Sequence, residues 1–149
     1  MRTWGFHRSD EMNVILVGTN AALLEGLAQS YAAGGFAPTV VPTLIDACEV
    51  SAESAPIVAV VARDQALAAV GNALAIRLAP GGSLVLYHGG DSADATPPLL
   101  ARAVVAELTL PLERQRLVAL TKSLAGRAEA VGRTHERGVA GRKSEAELR

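Results

Sequence analysis

The stretch Asn13–Asn20 constrains the fold of this chain more than any other. Four consecutive apolar residues, Val14–Val17, lead into a short polar loop and then into a helical pattern. A short continuous apolar run is typical of a parallel strand that is buried on both faces. In open α/β sheets, ligands and chemistry lie at the loop that follows such a strand. Here none of the loop residues can carry a charge: they are Gly18, Thr19 and Asn20.

Apolar runs and helical periods alternate five times along the chain. The predicted strands are Val14–Val17, Phe36–Val41, Pro56–Ala62, Ser83–Tyr87 and Val104–Leu110. The predicted helices are Ala21–Ala33, Leu44–Ser51, Ala66–Leu78, Pro97–Arg102 and Leu112–Val131. The strands lack the period-two pattern of a half-exposed antiparallel sheet, so we expect a doubly wound α/β domain with a five-stranded parallel sheet. Pro38 and Pro42 indicate that the second strand lies at a sheet edge.

Length and charge bound the domain organisation and the class of partner. We expect an N-terminal arm over residues 1–12, one α/β domain over 13–131, and a flexible charged tail over Gly132–Arg149. The 149 residues carry a net charge of −1, which gives no electrostatic reason to expect nucleic acid or a membrane as partner. Cys48 is the only cysteine, so an intrachain disulfide is excluded. No signal core or apolar span is evident, which favours a cytoplasmic protein.

Five β/α units that end in strand–Leu-Thr-x-Pro–helix resemble the receiver domain of two-component response regulators. The resemblance covers residues 13–131, and its best parts are Pro56–Ala62 and the segment Leu108-Thr109-Leu110-Pro111-Leu112. It implies a flavodoxin-like three-layer sandwich. It also implies a phosphorylation site in which an acidic pair holds Mg²⁺, an aspartate accepts the phosphoryl group, and a hydroxyl residue and a lysine hold its oxygens.

The positions that match this site lack its chemistry. Gly18 and Thr19 stand where receivers have the acidic pair, and Ala62 stands where they have the acceptor aspartate. Tyr87 takes the place of the hydroxyl residue, and Leu110 takes the place of the lysine. Mg²⁺ requires carboxylate oxygens, which these side chains do not offer. Asp64 is the one candidate for a substitute acceptor near Ala62, but no acidic pair or lysine accompanies it. The resemblance therefore implies a degenerate, phosphorylation-independent receiver.

Two other kinds of site are weaker alternatives. A loop after the fourth predicted strand contains His88, Asp91, Ser92 and Asp94. Members of a Ser-His-Asp triad usually come from separate elements, and no Gly-x-Ser-x-Gly elbow occurs, so a polar loop is the better interpretation. A small α/β enzyme that binds a nucleotide or S-adenosylmethionine remains an alternative, although the loop at Gly18 lacks the Gly-x-Gly-x-x-Gly spacing.

The function predicted from the sequence is therefore regulatory binding of a protein partner in bacterial signalling. No enzymatic activity, cofactor or metal is expected, and the partner is another regulator or a second copy of the chain. A regulatory fragment of a larger transcription regulator is a third alternative. The family resemblance implies a contact face on the fourth helix, fifth strand and fifth helix. Its predicted residues are Leu100, Arg102, Glu107, Arg114, Lys122, Leu124 and Val131.

Overall fold

The computed structural model describes residues 12–89, 95–128 and 130. The strands are β1 (Asn13–Val17), β2 (Ala37–Val41), β3 (Val58–Ala62), β4 (Ser83–His88) and β5 (Val104–Thr109). The helices are α1 (Ala21–Ala33), α2 (Leu44–Glu53), α3 (Arg63–Ala68), α4 (Val70–Leu74), α5 (Pro98–Ala103) and α6 (residues 114–128). The predicted arm lies outside the described residues except for Met12, and the predicted tail lies wholly outside them.

The strands form one sheet in the order β2-β1-β3-β4-β5, and every neighbouring pair is parallel. This confirms the predicted doubly wound α/β fold. The edge position of β2 is also confirmed, and Pro38 lies within that strand, where its missing N–H removes a hydrogen-bond donor. None of the described helices is long and apolar enough to cross a lipid bilayer.

Alternate side chains of the central strands enter two separate cores. In β1, Val14 and Leu16 pack into a core with α1 and α6, whereas Ile15 and Val17 pack into a core with α2 and α5. The three central strands are almost wholly buried because helices cover both faces of the sheet. This explains why their sequences are continuous apolar runs. Because helices cover both faces, the carboxyl ends of the strands are the edge of the sheet where polar side chains can lie together.

The predicted helix over Ala66–Leu78 is wrong in its boundaries. Two short helices, α3 and α4, replace it, and they are separated at Ala69, whose φ of −146° and ψ of 67° are not helical. The Val70-Gly71-Asn72 segment that follows has low helix propensity, so a continuous helix gains little there. β3 passes directly into α3 without a loop. Arg63 and Asp64 are therefore held close to the end of a central strand.

The sequence predicts an apolar stripe on the last helix that outruns the sheet past about Leu124, with the members Leu117, Leu120, Leu124, Ala128 and Val131. This overhang is wrong for the described residues. Leu124 and Ala128 are buried in the same core as Leu117. A buried hydrogen bond joins α6 to α1: the hydroxyls of Tyr31 and Thr121 lie 2.7 Å apart, and Thr121 Oγ1 donates to the Leu117 carbonyl. The apolar stripe of α6 is therefore covered by its own domain. Val131, the last member of the predicted stripe, lies outside the described residues.

Candidate functional site

A cleft of about 670 Å³ opens at the carboxyl ends of the strands. It lies where the sequence placed the degenerate phosphorylation site. Thr19, Ala62, Tyr87 and Leu110 line it, and Gly18 lies directly beneath the Tyr87 hydroxyl. The fold thus brings the five predicted positions to one edge of the sheet. Each comes from a different strand end except for the neighbours Gly18 and Thr19.

The side chain of Tyr87 crosses the sheet above the end of β3. Tyr87 lies on β4, and its hydroxyl donates a 3.0 Å hydrogen bond to the carbonyl oxygen of Val17 on β1. Since β3 separates these two strands, the phenol passes over the strand end occupied by Ala62. A Cβ atom built on Gly18 would overlap the Tyr87 oxygen. Glycine at position 18 therefore leaves the space that the Tyr87 hydroxyl occupies.

Tyr87 remains a neutral phenol over the ordinary pH range. Burial raises its pKa from 10.0 to about 12, and the carboxylate of Asp64 adds to the increase. Both effects disfavour a negative phenolate. The hydroxyl therefore acts as a hydrogen-bond donor to Val17, and it offers no anionic oxygen to a cation in the cleft.

A buried guanidinium follows the position that matches the family's acceptor aspartate. Arg63 is only 5% exposed. Its Nη2 donates to Thr96 Oγ1 at 3.1 Å, and its Nε lies 3.5 Å from Glu107 Oε2. Thr96 Oγ1 in turn donates to Glu107 Oε1 at 2.7 Å. We call these three residues the Arg63 network, and they connect the end of β3 to the edge strand β5.

Sequence reasoning missed Arg63. The available signal was the position of two charges in the sequence: Arg63 directly follows a buried strand, and Glu107 interrupts the apolar run of the last strand. A charge carried into the interior needs a partner of opposite sign, because burial without one is costly. That argument could have predicted an ion pair, but not which two strands it joins.

The described residues that line the cleft offer too few carboxylates for a magnesium site. Among the described lining residues only Asp64 is acidic, and it lies in the first turn of α3, where its Oδ1 accepts a hydrogen bond from the Gln65 N–H. No group of three potential metal ligands occurs in the described part of the chain. His88 also lines the cleft, but Asp91, Ser92 and Asp94 lie outside the described residues. The polar-loop interpretation of that segment stays a prediction.

The turn after β5 is held by a carboxylate. The Leu110–Pro111 peptide bond is cis. Glu113 Oε1 accepts a 2.7 Å hydrogen bond from the Thr109 N–H, and its Oε2 accepts one from Arg116 at 2.8 Å. The Thr109 N–H lowers the pKa of Glu113, and Arg116 contributes further. This bonding fixes the start of α6 beside the cleft.

The residues predicted for the contact face do not form one surface. Leu100 and Leu124 are buried core residues, so the prediction that they belong to the contact face is wrong. Arg102 and Glu107 belong to α5 and β5. The side chains of Arg114 and Lys122, by contrast, lie against α1, near Gly26 and Gly34. Two exposed apolar side chains of the α5–β5 region, Leu99 (64%) and Val105 (53%), were not predicted from the sequence.

Solved structures of receiver domains share this fold. A CheY-like response regulator receiver domain from Methanospirillum hungatei has a TM-score of 0.63 at 13% identity, over 79% of this chain and 96% of that one. The magnesium-bound receiver domain of a sensor histidine kinase from Pseudomonas aeruginosa has a TM-score of 0.61 at 15% identity, over 77% of this chain and 98% of that one. An adenylate cyclase structure from Rhodopirellula baltica has a TM-score of 0.67 at 17% identity. The match covers 84% of this chain and 95% of that one.

These likenesses establish a receiver-like, flavodoxin-like fold for this chain. No protein-family model and no curated protein matches the sequence. The receiver fold that the sequence predicted is confirmed.

Proposed function

We propose that this chain is a phosphorylation-independent receiver-like module of bacterial two-component signalling, which regulates by binding a protein partner in the cytoplasm. In this proposal it has no enzymatic activity and needs no cofactor. One observation carries the proposal: the Tyr87 phenol crosses the sheet end and is bonded to Val17 at the edge where the family binds Mg²⁺ and phosphate. The same phenol covers Gly18, which argues against close approach of a pyrophosphate or adenosyl group to that loop.

The contact face is proposed on α5 and β5. Leu99 and Val105 expose apolar area there, and β5 is an edge strand whose described residues contain no proline. Exposed apolar side chains and unprotected edge strands are features of interaction surfaces. Arg102 and Glu107 carry opposite charges on the same two elements.

Phosphorylation independence is tested by amide NMR with Mg²⁺ and beryllofluoride, alongside a receiver that has the complete acidic site. We expect no saturable shifts in this chain, because Ala62 and Leu110 offer no ligand to either species. The Asp64→Asn variant shows whether any response comes from the one acidic residue of the cleft. Saturable shifts around Gly18 and Ala62 that disappear in Asp64→Asn would refute phosphorylation independence.

The contact face is tested by light scattering and by partner capture with Leu99→Glu and Val105→Glu. Both should weaken association without changing the circular dichroism spectrum, because the side chains are exposed in the isolated domain. Ile45→Glu is the matched control, since Ile45 is 62% exposed on α2, away from α5 and β5. Equal association of all three variants and the wild type would place the contact elsewhere.

A further inference from the structure

We propose that the cleft at the carboxyl edge binds a small organic monoanion with an apolar body, with the anionic group on Arg114. The proposal rests on the proposed loss of phosphorylation, but not on the α5–β5 contact face. The volume of about 670 Å³ falls within the range of small-molecule sites, which is roughly 300–1,000 Å³.

The wall formed by α1 and the start of α6 offers hydrogen-bond donors. The Arg114 guanidinium lies over α1, with Nη1 3.2 Å from the Cβ position of Gly26, and Gly26 also lines the cleft. Neither this guanidinium nor the Thr19 hydroxyl makes a hydrogen bond or ion pair with another residue of the described chain. Asn20 uses its Oδ1 to cap α1 at 3.1 Å from the Leu23 nitrogen, so its amide N–H groups remain as donors. Three donor groups therefore line one wall.

The remaining surface of the cleft selects the rest of the ligand. Ala62, Leu110 and Leu23 present apolar atoms, and the Tyr87 ring adds an aromatic surface. These groups favour an apolar body that displaces water from the cleft. Arg63 also lines the α3 side of the cleft, but its guanidinium is bonded to Thr96 and Glu107. The Asp64 carboxylate contributes a negative charge on the same side. This carboxylate repels a second anionic group, so a monoanion fits better than a dianion such as a phosphate ester.

Charge complementarity also fixes the direction of binding. Asp64 lies close enough to Tyr87 for its carboxylate to raise the phenol's pKa. Arg114 belongs to the opposite, α1 side of the cleft. An anionic group is therefore attracted to the Arg114 side and repelled from the Asp64 side. The apolar body then lies across the sheet end, over Ala62 and Leu110.

The test is amide NMR of the full chain with octanoate, phenylbutyrate and indoleacetate, each compared with its neutral primary amide and with inorganic phosphate. We expect saturable shifts from at least one carboxylate at residues 19–26, 62–64 and 110–114. Its amide should bind about tenfold more weakly, the factor for losing one charge-assisted hydrogen bond. Arg114→Gln should weaken carboxylate binding by a similar factor. Lys122→Gln is the matched control, because Lys122 is a cation on the same helix, lies near Gly34 and does not line the cleft.

Three results would overturn the proposal. These are the absence of saturable shifts from all three carboxylates, equal binding of inorganic phosphate at the same residues, and unchanged affinity in Arg114→Gln. A response to Mg²⁺ with beryllofluoride would instead count against phosphorylation independence, so the two proposals fail in distinguishable ways.

Discussion

Replacing Gly18 by alanine should destabilise the domain, and it should do so through one atom of Tyr87. The added Cβ would overlap the phenol oxygen, whereas Leu24 Cδ1 and Tyr87 Cζ would each lie 3.3 Å away. The φ angle of Gly18 is outside the left-handed region, so alanine adds no backbone strain of its own. The cost therefore comes from displacing the phenol and from the lost hydrogen bond to Val17.

The size of the effect follows from these two contributions. Overpacking a well-packed site costs about 1–3 kcal/mol. Losing the buried hydrogen bond adds about 0.5–1.5 kcal/mol. We therefore expect Gly18→Ala to lower the free energy of unfolding by about 2–4 kcal/mol. In a Tyr87→Phe background the overlapping oxygen is absent, and the same substitution should cost less than about 1 kcal/mol.

A double-mutant cycle by urea unfolding measures this coupling. The four proteins are the wild type, Gly18→Ala, Tyr87→Phe and the double variant, and circular dichroism reports the folded fraction. We expect a coupling energy of about 1–3 kcal/mol. Gly126→Ala is the control, because nothing lies within 4 Å of a Cβ there and α6 should gain up to about 1 kcal/mol. Costs for Gly18→Ala and Tyr87→Phe that add within about 0.5 kcal/mol would refute the proposed contact.

Two further predictions concern the core and alkaline pH. Leu16→Ala should cost about 2–5 kcal/mol in urea unfolding, because Leu16 is fully buried. Val40→Ala, at the neighbouring position of the edge strand, should cost less than about 1 kcal/mol because Val40 is partly exposed. Equal costs of the two substitutions would contradict the central position of β1. The raised pKa of Tyr87 predicts stability that is fully present below pH 10.0 and is lost as pH rises through about 12. Tyr31 acts in the same direction. Urea unfolding measured across pH should thus show a smaller alkaline loss of stability in Tyr87→Phe than in the wild type. An unchanged loss would mean that groups other than Tyr87 cause it.

The sheet could be predicted from sequence because a strand covered on both faces must be apolar along its length. The segments over β1, β3 and β4 met this condition, and Pro38 identified the edge strand. The break between α3 and α4 was not predicted, because the alanine-rich residues on either side favour a continuous helix and outweigh the low helix propensity of Val70-Gly71-Asn72 in a local reading. Burial of Leu124 depends on where α6 packs against α1, and the periodicity of one helix contains no such information.

Long-range pairings account for what was missed at the site. The loss of the phosphorylation site could be predicted from single positions, because Ala62 and Leu110 stand where an aspartate and a lysine are required. The Tyr87–Val17 bond joins residues 70 apart, and the Arg63–Glu107 pair depends on the strand order. Neither follows from local pattern, since both require knowing which strand ends are neighbours. The sequence could therefore predict what chemistry was absent from the cleft, but not the contacts that replaced it.

The Arg63 network has a consequence for communication between two surfaces. Arg63 lines the cleft, and its partner Glu107 lies on the partly exposed edge strand β5. Arg63 is buried and needs a partner of opposite charge, so the two side chains are expected to keep or change their positions together. If a protein on β5 draws Glu107 away from Arg63, the shape and charge of the cleft change as well. Thermodynamic linkage makes such an effect reciprocal: a cleft ligand that shifts Arg63 alters the affinity of β5 for its partner by the same factor.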